Sequence, residues 1–326
     1  RKNRQIFKDV CKCKKEEFLM RIKRFVLKNF PVFWKFYKLL KILRVIGQKL
    51  RLTGAREVHS PENELITLVL NKSYPLGAKG TRVHLPKDKI IFEFIKLRGS
   101  WETAESRFLA MHLKRLCSRG NQERVALIDI GANTGLVTLQ VMNLAKTQND
   151  CILFEPVSSH AAAIRRNLSG SNFGFSVKEF ALGDRDGSAE IFQQTSNWGN
   201  SSLVEGVVPT SEKTSQYVKI RDSKNFFASE MNSYDWLVLK CDTQGYDALI
   251  LSRIPIQVWN KIQSAVIEVW ALPFIDPSHV RELEQKLSNF SDVSWDSEFR
   301  GRADFENVSR FWLSKTSESR NLFLRR

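Results

Sequence analysis

Long apolar stretches are absent from the first 56 residues of this 326-residue chain. The longest stretch there without a charged side chain, 29–34, is far below the roughly 20 residues that a helix needs to span a bilayer. The segment also lacks the apolar region of a secretory signal, and 1–52 contains no serine, which organelle transit peptides usually have. A transmembrane helix, a secretory signal and a typical transit peptide are therefore excluded for these residues.

Cysteine is also scarce. The five cysteines are an odd number in no disulfide-like spacing. The one close pair, Cys11 and Cys13, has no second pair that would complete a zinc site. We therefore expect a reducing compartment and a cytoplasmic location, peripheral to a membrane if the N-terminal segment binds one.

Acidic residues are rare only at the N-terminus. Residues 1–56, which we call the arm, hold 18 basic and 3 acidic side chains, a net charge of +15, whereas 57–326 has a net charge of +1. At about 100° per residue, apolar side chains form one stripe of a helix, and lysine and arginine cover the other side. The stripe consists of Phe36, Leu39, Leu40, Leu43, Ile46 and Leu50. The arm is therefore predicted to contain a basic amphipathic helix.

Two interpretations of the arm remain open. Basic residues opposite aromatic and leucine side chains are typical of a helix that lies on an anionic membrane surface. Alternatively, the apolar stripe packs on the body of the protein and its lysines face solvent. A nucleic-acid partner is disfavoured, because the body of the chain carries almost no net charge.

The body divides into a connecting segment and a larger domain. Residues 57–120 are predicted to form short strands, such as 90–95, and a helix over 101–116, with a domain edge near 120. From 121 to 326, near-continuous apolar strands alternate with helices, which predicts a parallel sheet covered on both faces. The predicted strands are 125–130, 151–154, 176–182, 236–241 and 265–270, and the predicted helices are 135–147, 158–168, 246–252 and 278–288. Ligands of such sheets bind beyond the carboxyl ends of the strands.

A glycine turn, DIGANTG at 129–135, follows the first of these strands. It lacks the middle glycine of the dinucleotide fingerprint G-x-G-x-x-G, which lets the backbone approach a pyrophosphate. Asp129 would repel a pyrophosphate, but it suits a ligand that carries an ammonium group and a sulfonium. Glu155, about 20 residues further on, can accept hydrogen bonds from ribose hydroxyls. The turn therefore favours S-adenosylmethionine over a dinucleotide, and a turn made only for helix packing remains the alternative.

Four motifs follow one another along the chain: D-x-G-A-N-x-G at 129–135, F-E-P at 154–156, A-L-G-D-x-x-G at 181–187 and K-x-D-x-Q-G at 240–245. In this order, over roughly 100–272, they resemble the FkbM family of S-adenosylmethionine-dependent methyltransferases. The resemblance implies an α/β fold with a Rossmann-like, seven-stranded class I methyltransferase sheet. It also implies methyl transfer to a hydroxyl of a sugar, glycolipid or polyketide. Gln244 departs from the family, in which this position is more often glutamate.

The resemblance also assigns residues to the cofactor, S-adenosyl-L-methionine. The glycine turn would hold its amino-acid part, with Asn133 as a polar contact and Glu155 on the ribose. The loop that begins at Phe180 would contact the adenine, although its apolar residues are equally typical of a core. The predicted cofactor-binding residues are Asp129, Gly131, Asn133, Gly135, Glu155, Ala181 and Leu182.

Methyl transfer to a hydroxyl requires alignment of the reacting atoms and removal of a proton. Asp242, at the carboxyl end of a strand, is predicted to be the base or a ligand of a divalent metal such as magnesium, with Lys240 beside it. The alternative is that Asp242 caps the following helix. The predicted acceptor-site residues are Asn197, Ser201, Ser202 and Glu268, the last a carboxylate in an apolar strand, where it needs a partner. His160 and His279, at helix starts, are interpreted as surface groups.

The sequence thus predicts an S-adenosylmethionine-dependent O-methyltransferase that acts on a hydroxyl-bearing acceptor, such as a carbohydrate or glycolipid. The alternative is a non-catalytic protein that keeps the methyltransferase fold. Such a protein would bind the cofactor without turnover and use the arm to attach to a membrane or polyanion.

Overall fold

The computed structural model describes residues 54–58, 65–86, 90–119, 123–209, 211, 213–273 and 275–326. The predicted amphipathic helix of the arm therefore lies outside the described residues. Gly54–Arg326 forms one compact unit. In the part of the chain that is described, no helix combines the length and the apolar composition needed to cross a membrane.

The first three strands of the folded unit form a small antiparallel sheet. Its three strands, in spatial order, are β1 (Ala55–Val58), β2 (Leu65–Leu70) and β3 (Arg82–Pro86). Because β1 begins at Ala55, the folded unit starts before residue 56, where the sequence suggests that the arm ends. Helices α1 (Ile91–Arg98) and α2 (Thr103–Cys117) follow.

The strand predicted at 90–95 is wrong, because 91–95 belong to α1 and Ile90 is its N-cap residue. Ile91, Phe92 and Ile95 are buried. Their spacing, i, i+1 and i+4, places them on one face of a helix, whereas a half-buried strand would alternate. Gly99 then ends the helix with a left-handed backbone, φ 70°, which glycine adopts without steric strain.

Strands and helices alternate through most of the rest of the chain, as the sequence predicts, but five strands follow one another over 175–222 and two helices over 247–259. In chain order the remaining elements are β4 (Val125–Ile130), α3 (Leu136–Ala145), β5 (Asp150–Phe154), α4 (Ser158–Leu168), β6 (Phe175–Lys178), β7 (Ala181–Gly183), β8 (Gly187–Gln194), β9 (Asn197–Ser202), β10 (Lys213–Asp222), α5 (Ser223–Glu230), β11 (Trp236–Cys241), α6 (Asp247–Arg253), α7 (Ile256–Trp259), β12 (Ile262–Trp270), α8 (Pro277–Leu287), β13 (Asp292–Ser294), α9 (Phe305–Trp312) and β14 (Ser319–Arg325).

Seven of these strands form the central sheet, in the order β13-β14-β12-β11-β4-β5-β6. The pairs within β12-β11-β4-β5-β6 are parallel, and β14 runs antiparallel to both of its neighbours. The predicted α/β fold with a Rossmann-like, seven-stranded sheet is confirmed. The reversed strand β14 and strand β13 were not predicted from the sequence.

Hydrophobic residues cover both faces of this sheet. One cluster includes Trp259 and Trp312, and the other includes Phe92, Leu109 of α2 and Leu127 of β4. The second cluster joins α2 to β4 across the position near 120 at which the sequence suggests a domain edge. Both faces of the sheet are thus buried, as is usual for parallel strands.

A second sheet, of order β7-β10-β8-β9, was not predicted. The predicted strand 176–182 divides between β6 in the central sheet and β7 in this smaller one. Strand β9 is tied to two loops of the central sheet. Asn133 Nδ2 donates to the Trp198 carbonyl at 3.2 Å, and Ser202 Oγ donates to the Gln244 carbonyl at 2.6 Å.

Along the chain, strands β5 and β6 are added on one side of β4, and β11 and β12 are added on its other side. The strand order therefore reverses between β4 and β11, which are adjacent and parallel. The loops after these strands leave the same edge of the sheet, at the switch point where open α/β sheets bind ligands. The two loops approach closely, since the Asp242 N–H donates to the Ile130 carbonyl at 3.0 Å. A Cβ at Gly131, φ +78°, would lie 1.9 Å from the Asp242 carbonyl oxygen, so no other residue fits there.

Candidate functional site

A cleft with two lobes opens at the switch point. We call them the apolar lobe, about 560 Å³, and the acidic lobe, about 800 Å³. The residues that line both lobes are Gly131, Asn133, Gly199, Asp242 and Gln244. A ligand could therefore extend from one lobe into the other.

The apolar lobe contains the residues predicted for adenine and ribose. Phe180, Ala181 and Leu182 line it, and Glu155 lies at the end of β5. The Glu155 carboxylate accepts hydrogen bonds from the Asn133 N–H at 2.8 Å and the Val157 N–H at 2.9 Å. A carboxylate offers about four acceptor positions. Glu155 therefore shapes the glycine turn and keeps capacity for ligand hydroxyls.

Residues of the apolar lobe carry polar atoms that need a partner. Asn133 Oδ1, His160 Nε2 and Thr243 Oγ1 are buried and have no hydrogen-bond partner among the described residues. Folded proteins seldom leave such atoms unsatisfied unless a ligand, ion or water meets them. Apolar walls, the carboxylate of Glu155 at the ribose position and unmet polar atoms together fit S-adenosylmethionine, which combines an adenine, a ribose and an amino acid.

The interpretation of His160 as a surface group is wrong. Its side chain is 1% exposed, and its Nδ1 lies 3.6 Å from Glu155 Oε1. Its ring packs edge-on against Trp198, with centroids 5.7 Å apart. The buried face of α4 therefore brings His160 to the apolar lobe. His279 is partly exposed, and its Nδ1 lies 3.1 Å from Ser252 Oγ.

Lys240 is the cation of the acidic lobe and is only 5% exposed. Its Nζ lies 3.2 Å from Asp242 Oδ2, 3.9 Å from Asp129 Oδ1 and 4.0 Å from Glu102 Oε2. Burial alone would lower the pKa of Lys240, but these three carboxylates outweigh burial and raise the pKa well above its ordinary value. Lys240 therefore stays charged at neutral pH.

Asp242 is held by both of its oxygens. Oδ2 contacts Lys240, and Oδ1 accepts a hydrogen bond from Gln244 Nε2 at 2.7 Å. Burial raises the pKa of Asp242, but the Lys240 charge and hydrogen bonds from Glu268, Gln244 and Lys240 hold the pKa below its ordinary value. The helix-cap alternative is wrong, because α6 begins at Asp247 and its N-cap residue is Tyr246.

Glu268 has the partners that its position in an apolar strand requires. Its Oε2 accepts hydrogen bonds from Gln244 Nε2 at 2.7 Å and from Trp270 Nε1 at 2.6 Å. Burial, reinforced by the charge of Asp242, raises the pKa of Glu268 well above its ordinary value. Glu268 therefore holds its proton more firmly than an exposed glutamate does, and in the protonated form it can donate a hydrogen bond to Asp242.

Glu102 also lines the acidic lobe and was not predicted from the sequence. It directly precedes α2, and its backbone has φ 41° and ψ 56°. Its side chain is 25% exposed, yet enough protein surrounds it that burial raises its pKa to about 7, with further contributions from neighbouring carboxylates. One feature of the sequence could have indicated Glu102: a glutamate stands at the start of a helix, where serine, threonine or aspartate is usual.

The predicted residues divide between the lobes. Ser201 lines the apolar lobe, and Asn197 and Glu268 line the acidic lobe. Three predicted residues line neither lobe: Asp129, Gly135 and Ser202. Asp129 accepts a hydrogen bond from Thr138 Oγ1 at 2.7 Å beneath the turn, and the Ser202 hydroxyl is used by the Gln244 carbonyl. Asp129 and Ser202 therefore stabilise the loops that form the walls of the cleft.

The acidic lobe does not fit a magnesium ion. Among the described residues, no group of three or more histidine, cysteine, aspartate or glutamate side chains is arranged to hold a metal. The Lys240 ammonium lies among the three carboxylates, within 4.0 Å of each. It supplies the positive charge that a divalent ion would otherwise supply.

No family model matches the chain, and no curated protein matches it. Solved methyltransferase structures are similar over much of the chain. The plantazolicin methyltransferase BpumL, solved with SAH, has a TM-score of 0.31 at 12% identity, over 69% of this chain and 85% of its own. A SAM-dependent methyltransferase from Agrobacterium tumefaciens has a TM-score of 0.35 at 10% identity, over 83% and 74%. A geranyl diphosphate methyltransferase, solved with GPP and sinefungin, has a TM-score of 0.33 at 9% identity, over 70% and 79%.

Proposed function

We propose that the chain is an S-adenosylmethionine-dependent methyltransferase, similar to the FkbM family, that methylates a hydroxyl group. One observation carries the proposal: Asp242, the strand-end aspartate of the K-x-D-x-Q-G motif, lies in the shared wall of two lobes with different chemistry. One lobe suits a nucleoside and the other suits a polar acceptor. A group-transfer enzyme needs such a pair of adjoining sites, because the two reactants must meet in line.

In the apolar lobe, this chain's residues bind and orient the cofactor. Phe180 and Leu182 contact the adenine, Glu155 accepts the ribose hydroxyls, and the unmet oxygen of Asn133 accepts from the amino-acid part. When bound, S-adenosylmethionine supplies a methyl group activated by its sulfonium. Apolar walls exclude water from this lobe, so that the acceptor rather than water reaches the methyl group.

In the acidic lobe, the residues bind and orient the acceptor. Asn197 and Glu268 offer hydrogen bonds to hydroxyl groups, and Lys240 with Asp242 forms a fixed charge pair at the floor. The many polar side chains of this lobe favour an acceptor with several hydroxyls, such as a carbohydrate or the head group of a glycolipid. Alignment of the acceptor oxygen supplies most of the rate enhancement, and proton removal adds about 10²–10⁴-fold.

The proposal is tested by incubating the full chain with methyl-labelled S-adenosylmethionine and a glycolipid and polysaccharide extract. We expect label in the extract with the parent protein and at least about 10²-fold less with Asp242→Asn. An Asp276→Asn variant serves as the control, since Asp276 caps α8 outside the cleft. Binding of S-adenosylhomocysteine without transfer to any acceptor would instead support the non-catalytic alternative.

We also propose that the arm attaches the enzyme to an anionic membrane surface. Its net charge of +15 and its apolar stripe support this. Each lysine near such a surface contributes about 1 kcal/mol, and this attraction decreases with salt. An acceptor with a lipid tail would then be held at the same surface as the enzyme.

A further inference from the structure

Three residues in the walls of the acidic lobe have left-handed backbone conformations. Seven described residues other than glycine have positive φ, and three of them line this lobe: Glu102 at 41°, Asn133 at 51° and Gln244 at 54°. Such conformations persist only where the surrounding structure enforces them, and they cluster at functional sites. Asn133 and Gln244 belong to motifs of the proposed site. Glu102 belongs to no motif that the proposed function uses.

A buried glutamine fixes the backbone on either side of Glu102. Gln140 of α3 is fully buried, accepts the Trp101 N–H at 3.0 Å and donates to the Trp101 carbonyl and to Ser106 Oγ. On the other side, the Glu102 carbonyl accepts from the Ser106 N–H at 3.0 Å and from its hydroxyl at 2.9 Å. The helix therefore starts without using the Glu102 carboxylate as a cap.

The four carboxyl groups in or beside the acidic lobe differ in how many of their oxygens have partners. Asp242 uses both oxygens, Glu268 is hydrogen-bonded to two side chains, and Asp129 lies beneath the turn outside the lobe. Among the described residues, Glu102 has one polar side-chain contact, to Lys240 at 4.0 Å. Its oxygens are thus the most available to a ligand in the acidic lobe.

We infer that Glu102 is a second catalytic residue, the base that takes the proton of the acceptor hydroxyl. The inference rests on the proposed function and deepens it. The hydroxyl O–H bond breaks and its proton passes to Glu102, while the acceptor oxygen forms a bond to the methyl carbon. The methyl–sulfur bond breaks and its electron pair stays on sulfur. Asp242 and Lys240 then act by orienting the acceptor.

The ionisation of Glu102 suits this role. Burial first, then the charges of Asp242, Glu105 and Asp129, raise its pKa to about 7, and Lys240 opposes them. Glu268, whose pKa is also raised, faces the same lobe from β12. A base with a pKa near the working pH is both unprotonated and able to hold a proton, which is the optimum for proton transfer.

The test compares the full-length parent with Glu102→Gln, which keeps the shape of the side chain. Glu93→Gln is the matched control, because Glu93 is exposed on α1 and lines neither lobe. With labelled cofactor and the glycolipid and polysaccharide extract, we expect the transfer rate of Glu102→Gln to be about 10²–10⁴-fold lower than that of the parent. The transfer rate of the parent should rise with pH through about 7. The rate of Glu102→Gln should not show this rise. Affinity for S-adenosylhomocysteine should change by less than about threefold in both variants.

A second measurement needs no acceptor. The affinities of the parent for S-adenosylmethionine and S-adenosylhomocysteine are measured by calorimetry between pH 6 and pH 8. Only the first ligand carries a sulfonium charge, so ionised Glu102 should raise the ratio of the two affinities at least about threefold over this range. The ratio should be flat in Glu102→Gln. A flat ratio in the parent, or transfer by Glu102→Gln within about threefold of the parent, overturns the inference. If the parent binds neither ligand, the proposed function itself is wrong.

Discussion

Replacement of Lys240 by methionine tests the charge arrangement of the cleft through stability alone. The substitution keeps the length and apolar stem of the side chain but leaves three carboxylates within 4.0 Å without their cation. Removing one partner of a buried ion pair destabilises a protein by about 3–5 kcal/mol, because the remaining charge is uncompensated. We expect a loss of this size at pH 8, since Asp129, 1% exposed, cannot regain water.

The pH dependence follows from proton linkage. Burial already raises the pKa of Asp129 and of Glu102 in the folded parent, and Lys240 opposes this. Without Lys240 both pKa values rise further, so the folded variant binds more protons than the unfolded chain. Its stability therefore falls as pH rises. The difference between parent and variant should be largest at pH 8 and should shrink toward pH 5, where the carboxyl groups become neutral.

Urea unfolding at both pH values measures the effect. Lys261→Met is the control, because Lys261 Nζ donates to the carbonyls of Met231, Asn232 and Tyr234, which do not titrate. The loss of stability caused by Lys261→Met should be the same at pH 5 and pH 8. A Lys240→Met variant within about 1 kcal/mol of the parent at pH 8, or a loss that grows as pH falls, would refute the reasoning.

Three further predictions concern binding, turnover and attachment. Glu155→Ala should weaken S-adenosylhomocysteine binding by about 1–3 kcal/mol, the value of a hydrogen bond to a charged group; unchanged affinity by calorimetry would remove Glu155 from the site. Asp242→Asn should bind the cofactor normally but lose at least about 10²-fold of turnover, and activity close to the parent would leave Asp242 with a structural role. Deletion of 1–53 should leave Gly54–Arg326 folded and abolish sedimentation with anionic vesicles, which the full chain should show at low salt and lose at high salt. If the deletion instead unfolds the body, the apolar stripe of the arm is part of the core.

The parts of the fold that the sequence predicted are those with strong periodicity. The strand at 125–130 and the helix at 158–168 match β4 and α4 residue for residue, because near-continuous apolar runs and helical spacing are local signals. Strand β10 was missed, since it pairs antiparallel with β8 in a sheet whose burial pattern is mostly exposed or partial. Such a strand has little hydrophobic pattern to detect.

The site residues that belong to sequence motifs were predicted. Those that reach the cleft through tertiary packing were missed. Asn133, Glu155 and Asp242 stand in motifs with glycines and strand ends, and all three line the cleft. Glu102 reaches the same cleft only because Gln140, distant in sequence, holds the preceding residue. His160 lies on the buried face of α4 together with Ile164 and Leu168. Their i, i+4, i+8 spacing was an available signal for His160, whereas no local spacing places Glu102 in the cleft.

Calorimetric titration of the full chain with S-adenosylhomocysteine tests the central claim most directly. The account predicts saturable binding at one site per chain, weakened by Glu155→Ala and retained by Asp242→Asn. It also predicts a rise in melting temperature with ligand, because a ligand that binds only the folded state stabilises it. No heat of binding and no shift of melting temperature, with a parent protein that unfolds cooperatively, would contradict the account.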